Sequence, residues 1–430
     1  MSINRRRFLE VSALGAGAAA VGCAQGATSP PAASTGAGGT PAAIAALTPM
    51  TAGVVPISDD ERRARIAKAQ RLMGVQKIDA IFMEGTTSMF YFTGMRWGQS
   101  ERTFGVVIPA KGAVAYVCPG FEEDRARELI KPAFGSEVRV WQEDESPYAV
   151  ITGIVKDRGV QHRRIGIEER VRFFIADGVR KASGMEIVDA TPVTMGCRVI
   201  KTTAEIALMQ HANNVTLAAY QAGLSSMREG MSQDELAGNI TAAYRALGFS
   251  GDVSVQFGKW TALPHGSATP QKLKDGDVVM IDDGVRCEGY QSDITRTTVF
   301  GTPTQRQKDV WEIEKRAQTA AFEAIRIGAP CESVDAAARK VIEAAGFGPG
   351  YKVPGLPHRT GHGMGLDGHE WTNFVKGNTT PIAVGMCFSD EPMIAIPGEF
   401  GIRLEDDVYI AEDGAHFFTK QSLAIDKPFA

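Results

Sequence analysis

The sequence predicts an α+β protein of two unequal domains: a small α/β domain, then a larger mixed domain whose strands end on carboxylates. Three observations carry this. Between residues 57 and 197, charged helical segments alternate with short apolar runs, the pattern of a small α/β unit. Beyond residue 198, apolar runs such as 278–281 stop at acids and glycines, as buried strands do at a sheet's edge. The length of 430 residues suits two domains behind an N-terminal segment of different composition.

That N-terminal segment comes first. Arg5, Arg6 and Arg7 precede an Ala-rich apolar stretch over 11–21, so residues 1–26 resemble a twin-arginine export signal, although Glu10 stands where that motif has lysine. Export to a bacterial periplasm is the expectation. Ala20, Val21, Gly22 and Cys23 form an imperfect lipobox, which makes Cys23 a candidate for a lipid anchor, with ordinary cleavage nearby as the alternative. Residues 27–56, rich in Ala, Gly, Pro, Ser and Thr, are expected to be a flexible tether.

In the α/β domain (57–197), a charged helix is expected over 59–73 and apolar strands over 79–83, 104–109 and 113–118. Helices over 122–130 and 173–183 alternate with strands near Val138 and Ile165. In the second domain (198–430), the run 278–281 delivers Asp282 at a strand end and 294–300 forms a second strand, so a hairpin brings Asp282 near Asp293. Turn chemistry alone would also account for Asp282, Asp283 and Gly284. Next, three of the chain's seven histidines, His358, His362 and His369, fall within twelve positions among Gly361, Gly363, Gly365 and Gly368. Glycines there permit close backbone approach and convergent imidazoles. Neither a nucleotide loop nor a zinc-protease helix fits, because no strand–helix frame surrounds the glycines and Asn373 stands where the second zinc-protease histidine would be. Finally, an apolar strand ends at Asp390 and Glu391, and after the Pro397-Gly398 turn a strand carries Val408 and Ile410 beyond Glu405. Glu405, Asp406 and Asp407 taken alone would be a solvated acidic edge.

Asp282, Asp293, His362, Glu391 and Glu405 together offer four carboxylates and one imidazole. That donor set suits two divalent ions, with Mn, Co or Zn preferred over a thiolate-bound structural zinc, and Mn placed first. Paired metals of this kind activate water, so hydrolysis is the implied chemistry.

From Lys201 onward, the contexts resemble peptidase family M24, the pita-bread fold of aminopeptidase P, prolidase and methionine aminopeptidase. The motifs are Asp282-Asp283-Gly284, Gly289-Tyr290 with Asp293 and Arg296, Gly361-His362-Gly363 with Gly365, Arg403 with Glu405-Asp406, and Leu263-Pro264-His265. The N-terminal domain narrows this to the aminopeptidase P, prolidase and creatinase-like branch, since Ser88-Met89-Phe90-Tyr91-Phe92-Thr93-Gly94 resembles their pattern. The resemblance implies cleavage of Xaa-Pro bonds in dipeptides or short peptides by a metal-bridging hydroxide. Asp282 would bind one ion, His362 and Glu391 the other, and Asp293 and Glu405 would bridge. Glu391 would also be the general base, His369 and His265 would face the oxyanion, His358 would orient substrate, and Arg403 would hold a ligand carboxylate. A homodimer is implied as well. Asp390 departs from the family's Val or Ile, and either raises the pKa of Glu391 or points to the other face of the strand.

Two other readings stand beside this one: a creatinase-like C–N hydrolase without metals, which the intact ligand set disfavours, and a non-catalytic peptide-binding homologue. A cation for a dipeptide's free carboxylate has only loose candidates in Lys376, Arg102 (near Trp97) and Arg359. A net charge of −4 argues against a nucleic-acid partner. Besides Cys23, the cysteines Cys118, Cys197, Cys287, Cys331 and Cys387 lack paired spacing and are expected to be buried thiols.

Overall fold

The computed structural model describes residues 39–429. The signal over 1–26, Cys23 and the tether as far as residue 38 lie outside the described residues. The first domain opens on α2 (Asp59–Gln76), preceded by the short α1 (Ala42–Ala45). Ser58 caps α2 by accepting from the Glu61 N–H at 3.1 Å, and Asp59, Asp60 and Glu61 place negative charge at its positive end. There follow β1 (Ala80–Glu84), α3 (Thr87–Thr93), β2 (Gly105–Pro109), β3 (Ala115–Pro119), α4 (Glu123–Leu129), β4 (Glu137–Trp141) and α5 (Pro147–Asp157). The domain closes with β5 (Arg164–Ile167), α6 (Phe173–Ser183), β6 (Glu186–Asp189) and α7 (Thr191–Arg198).

These strands form one six-stranded mixed sheet in the order β4-β3-β2-β1-β5-β6. Alternation sends Ile81, Met83, Val106 and Ile108 to the face covered by α2 and α7, and Phe82, Val107, Ala115 and Val117 to the face covered by α5 and α6. Both faces are therefore buried, which explains why the strands read as continuous apolar runs. The expectation missed α3, α5, β6 and α7.

The second domain begins with α8 (Thr203–Leu224) and α9 (Gln233–Ala246), each started by a capping box, Thr202 with Glu205 and Ser232 with Glu235. After them come β7 (Ser254–Phe257), β8 (Val278–Asp282), β9 (Arg286–Cys287), β10 (Tyr290–Gln291), β11 (Arg296–Val299), α10 (Gln305–Ala324) and α11 (Glu332–Ala344). The last third is strand: β12 (Gly361–Gly363), β13 (Glu370–Phe374), β14 (Cys387–Asp390), β15 (Met393–Ile396), β16 (Phe400–Arg403), β17 (Asp406–Ala411) and β18 (Gly414–Phe417). Sheets β11-β8-β7 and β13-β12-β14-β17-β18 carry the site, with β15 and β16 as a separate hairpin. Strand β8 divides two cores. Val279 and Ile281 pack with α8 and α9, whereas Val278 and Met280 pack with Trp311 of α10 and Ile342 of α11. The Pro397-Gly398 turn joins β15 to β16 rather than leading into the strand with Val408 and Ile410, which is β17, one strand further on.

The tether expectation fails for residues 40–56. Here α1 packs against α8 and α9, Ile44 is 2% exposed, and the Met50 N–H donates to the Leu247 carbonyl at 2.9 Å. A composition of small residues hid the few apolar ones, Ile44, Leu47 and Met50, that dock this strap on the second domain. The five described cysteines are buried free thiols.

Candidate metal centre

Each of the five donor residues is delivered by a strand end or strand crossing. Asp282 ends β8, and β11 returns antiparallel to it with Arg296 opposite Ile281, so Asp293 comes back to the same edge. His362 is the middle residue of β12. Its flanking glycines are steric requirements, because a Cβ at Gly361 would lie 2.1 Å from the Ser389 carbonyl oxygen and one at Gly363 would lie 2.3 Å from that of Trp371. Glu391 follows β14, tied down by its N–H donating to the Thr360 carbonyl at 2.9 Å. Glu405 sits between β16 and β17.

Their donor atoms converge. One atom each from Asp282, Asp293 and Glu405 lie within 4.8 Å of one another, and so do atoms from His362, Glu391 and Glu405. Glu405 belongs to both groups, as a ligand shared between two ions would. A third group joins Asp293, His362 and His369. His362 Nε2 lies 3.2 Å from Glu391 Oε1 and 3.6 Å from Asp293 Oδ2. Its other nitrogen, Nδ1, lies 3.1 Å from the Gly363 carbonyl oxygen, which as an acceptor favours a proton on Nδ1 and leaves Nε2 free to ligate.

The electrostatics call for cations. Burial and the charges of Asp282, Asp407 and Glu391 push Asp293 well above the usual carboxylate range, and burial with Asp293, Glu391 and Asp282 does the same to Glu405. Burial and Asp282 lift Asp283 to about 6. Carboxylates that resist ionising together are the chemistry that divalent ions relieve, so these residues fit a two-ion site. Glu391 behaves differently: burial alone would raise it, but His362, His358 and Arg403 hold it below the usual range. Asp390 therefore does not raise its neighbour. Its carboxylate is buried without a hydrogen-bond partner, and burial and Asp406 keep it neutral-leaning.

Other side chains fix the ligands. Thr295 Oγ1 lies 2.7 Å from Asp282 Oδ1 and 2.6 Å from Glu405 Oε2, and accepts from Arg403 Nε at 2.8 Å. Arg403 also pairs with the Asp282 carboxylate. Asp407 Oδ2 accepts from the Asp293 N–H at 3.0 Å and from Asn213 Nδ2 at 2.9 Å. Ser389 Oγ accepts from the His362 N–H at 3.0 Å and donates to Glu391 Oε1 at 3.3 Å. Sequence reasoning missed Thr295, Asp407, Asn213 and Ser389. Thr295, Asp407 and Ser389 carried a signal, each lying two residues from a ligand candidate.

The remaining candidates separate. His369 is exposed, its ring 4.0 Å from that of His362, and burial, His362 and Arg359 lower its pKa to about 4. His358, half-buried, has its pKa lowered chiefly by burial, with Glu391 and Arg403 among its charged neighbours. His265 lines a cavity of about 360 Å³ with Gln233, Asp234, Val253 and Ser254. Arg359 is among the groups that lower the pKa of His369. Arg102 is spent on Glu143 at 2.7 Å, Trp97 stacks on Phe104, and Lys376 is exposed.

Residues 207–412 match metallopeptidase family M24, and residues 65–200 match the creatinase/prolidase N-terminal domain. An uncharacterized peptidase of Schizosaccharomyces pombe is 36% identical over 386 residues, covering 85% of this chain and 82% of that protein. The chain belongs to metallopeptidase family M24. Solved structures similar to it include a dipeptidase of Mycobacterium ulcerans, at 30% identity and a TM-score of 0.80 over 87% of this chain and 100% of that one. A prolidase of Thermococcus sibiricus superposes with a TM-score of 0.75 at 31% identity, covering 83% of this chain and 96% of its own. The α+β architecture with its added N-terminal domain is that of this M24 branch, and the chain is a metallopeptidase.

Proposed function

We propose that this metallopeptidase is a Xaa-Pro dipeptidase of the prolidase type, with short Xaa-Pro-Yaa peptides as further substrates. The observation that carries the reading is the double cluster sharing Glu405, ringed by His369, His358 and Arg359, on a chain similar to a dipeptidase and a prolidase. Two divalent ions, Mn first among Mn, Co and Zn, would be held by Asp282, Asp293 and Glu405 and by His362, Glu391 and Glu405. Bound there, they supply Lewis acidity and make water acidic enough to ionise near neutral pH.

The chain's own residues do the rest. Glu391, held below the usual carboxylate range by His362, His358 and Arg403, takes a proton from the attacking water and returns it to the proline nitrogen as the C–N bond breaks. His369, uncharged at neutral pH because its pKa is about 4, donates an N–H to the oxyanion. Arg403 and Thr295 keep the Asp282 and Glu405 carboxylates aimed inward. Arg359 is the cation best placed for a dipeptide's free carboxylate.

Matched Ala-Pro and Ala-Ala dipeptides, and Xaa-Pro-Yaa with Xaa-Ala-Yaa peptides, incubated with Mn-loaded enzyme test the specificity by mass spectrometry. Preferential cleavage of the proline series is expected. Equal cleavage of both series, or cleavage of creatine instead, would overturn it. We further propose export and a homodimeric state, from the arginine-led N-terminus and the family resemblance. Among the described residues, no helix is long and apolar enough to cross a membrane. Cell fractionation and sedimentation check both, and a cytoplasmic monomer would contradict them.

A further inference from the structure

His369 makes no hydrogen bond through its ring to another described residue, and it is exposed on the turn that follows His362. Its placement therefore rests on the backbone of residues 365–370. That backbone is held through two acids flanking the imidazole, Asp367 two positions before it and Glu370 one after. Glu370 Oε1 accepts from the Leu366 N–H at 3.0 Å and the Asp367 N–H at 3.2 Å, folding the turn onto itself. Arg198 also donates to Oε1, and Oε2 meets Lys201 Nζ at 3.0 Å.

Asp367 reaches further. Its Oδ1 accepts from Thr87 Oγ1 at 2.7 Å and from Arg170 Nη1 at 2.9 Å, and its Oδ2 from Arg198 Nη2 at 2.6 Å. All three donors belong to the first domain: Thr87 begins α3, Arg170 lies between β5 and α6, and Arg198 ends α7. Arg198 is 2% exposed, and a buried, multiply bonded charge network of this kind admits few alternative geometries. On the far side of the turn, Gln291, the last residue of β10 and two residues from Asp293, donates its N–H to the Gly365 carbonyl at 2.8 Å and its Nε2 to that of Leu366 at 2.9 Å. The turn thus spans from the first domain to the donor cluster.

We propose that Asp367 and Arg170 are positioning residues for His369, so that the first domain holds the oxyanion-facing imidazole in register with the donor cluster. The first domain then contributes to turnover directly. This rests on the peptidase reading above and deepens it.

The test is a double-mutant cycle on one cleaved peptide, with Arg170→Ala and Thr87→Val, singly and together, each made also in a His369→Ala background. Arg170 is half exposed, with side-chain exposure of 50%, so its loss leaves the fold intact. Arg170→Ala is expected to lower kcat roughly fivefold to tenfold with KM within about twofold and metal content unchanged. Arg170→Lys, which keeps a donor for Asp367, should recover most of that loss. In the His369→Ala background, Arg170→Ala should have no further effect, because the group it positions is gone. Penalties that persist in full in that background, or an Arg170→Ala/Thr87→Val double variant with wild-type kcat, would overturn the inference. Absence of turnover in the wild type would instead fail the peptidase reading, which keeps the two failures distinct.

Discussion

The proposed mechanism gives Glu391 and His369 opposite tasks, and their environments push their pKa values in keeping with that. His362, His358 and Arg403 hold the Glu391 carboxyl below the usual range, while burial, His362 and Arg359 lower the pKa of the His369 imidazole to about 4. One group is thereby ready to accept a proton and the other to donate a hydrogen bond without a full charge. Since one atom of His369 lies within 4.8 Å of Asp293 and His362, the competing role is that of a ligand. His369→Ala separates the two. We expect full metal content by elemental analysis and a kcat lower by about 100–1000-fold, the usual loss for one oxyanion donor. Loss of metal from a folded variant would make His369 a ligand instead.

At the scale of elements, the site depends on strand edges and on pieces that dock onto them. The strand closing the histidine turn, β13, begins at Glu370. Burial alone would raise this carboxyl, but Arg198 and Lys201 hold it down to about 2 from an ordinary 4.5. A group depressed on folding stabilises the native state above its unfolded pKa, and that contribution drains away as the pH falls from about 4.5 towards 2. Glu370→Gln should therefore be less stable than wild type at neutral pH, with the gap in thermal midpoint closing across that acid window in metal-free protein. A gap that stays constant with pH would mean the ion pairs contribute nothing. The strap before α2 makes a second test. Ile44→Ala should weaken its docking by about 2 kcal/mol, seen as faster limited proteolysis within residues 40–56 with kcat unchanged. Equally rapid cleavage there in the wild type would restore the tether reading.

Over the whole molecule, what was legible in the sequence was what short segments carry. The acid-ended run at 278–282 combines a strand signal with a donor, whereas the Gly-His-Gly at 361–363 and the Arg-Leu-Glu at 403–405 were legible as motifs of the family resemblance and not as the strands β12 and β16. Less legible was whatever depends on distant partners. Nothing near Asp367 announces Thr87 or Arg170, which lie 280 and 197 residues away in sequence. Asp390 looked like a threat to Glu391, yet strand alternation turns it from the ligand face into a buried site of its own.

The central claim is that these separated strands assemble one site for two divalent ions. Calorimetric titration of metal-free protein with Mn tests it most directly. The account predicts two ions per wild-type chain and at most one for folded Asp293→Ala, whereas a wild-type chain that takes up none, or an Asp293→Ala chain that still takes up two, would contradict it.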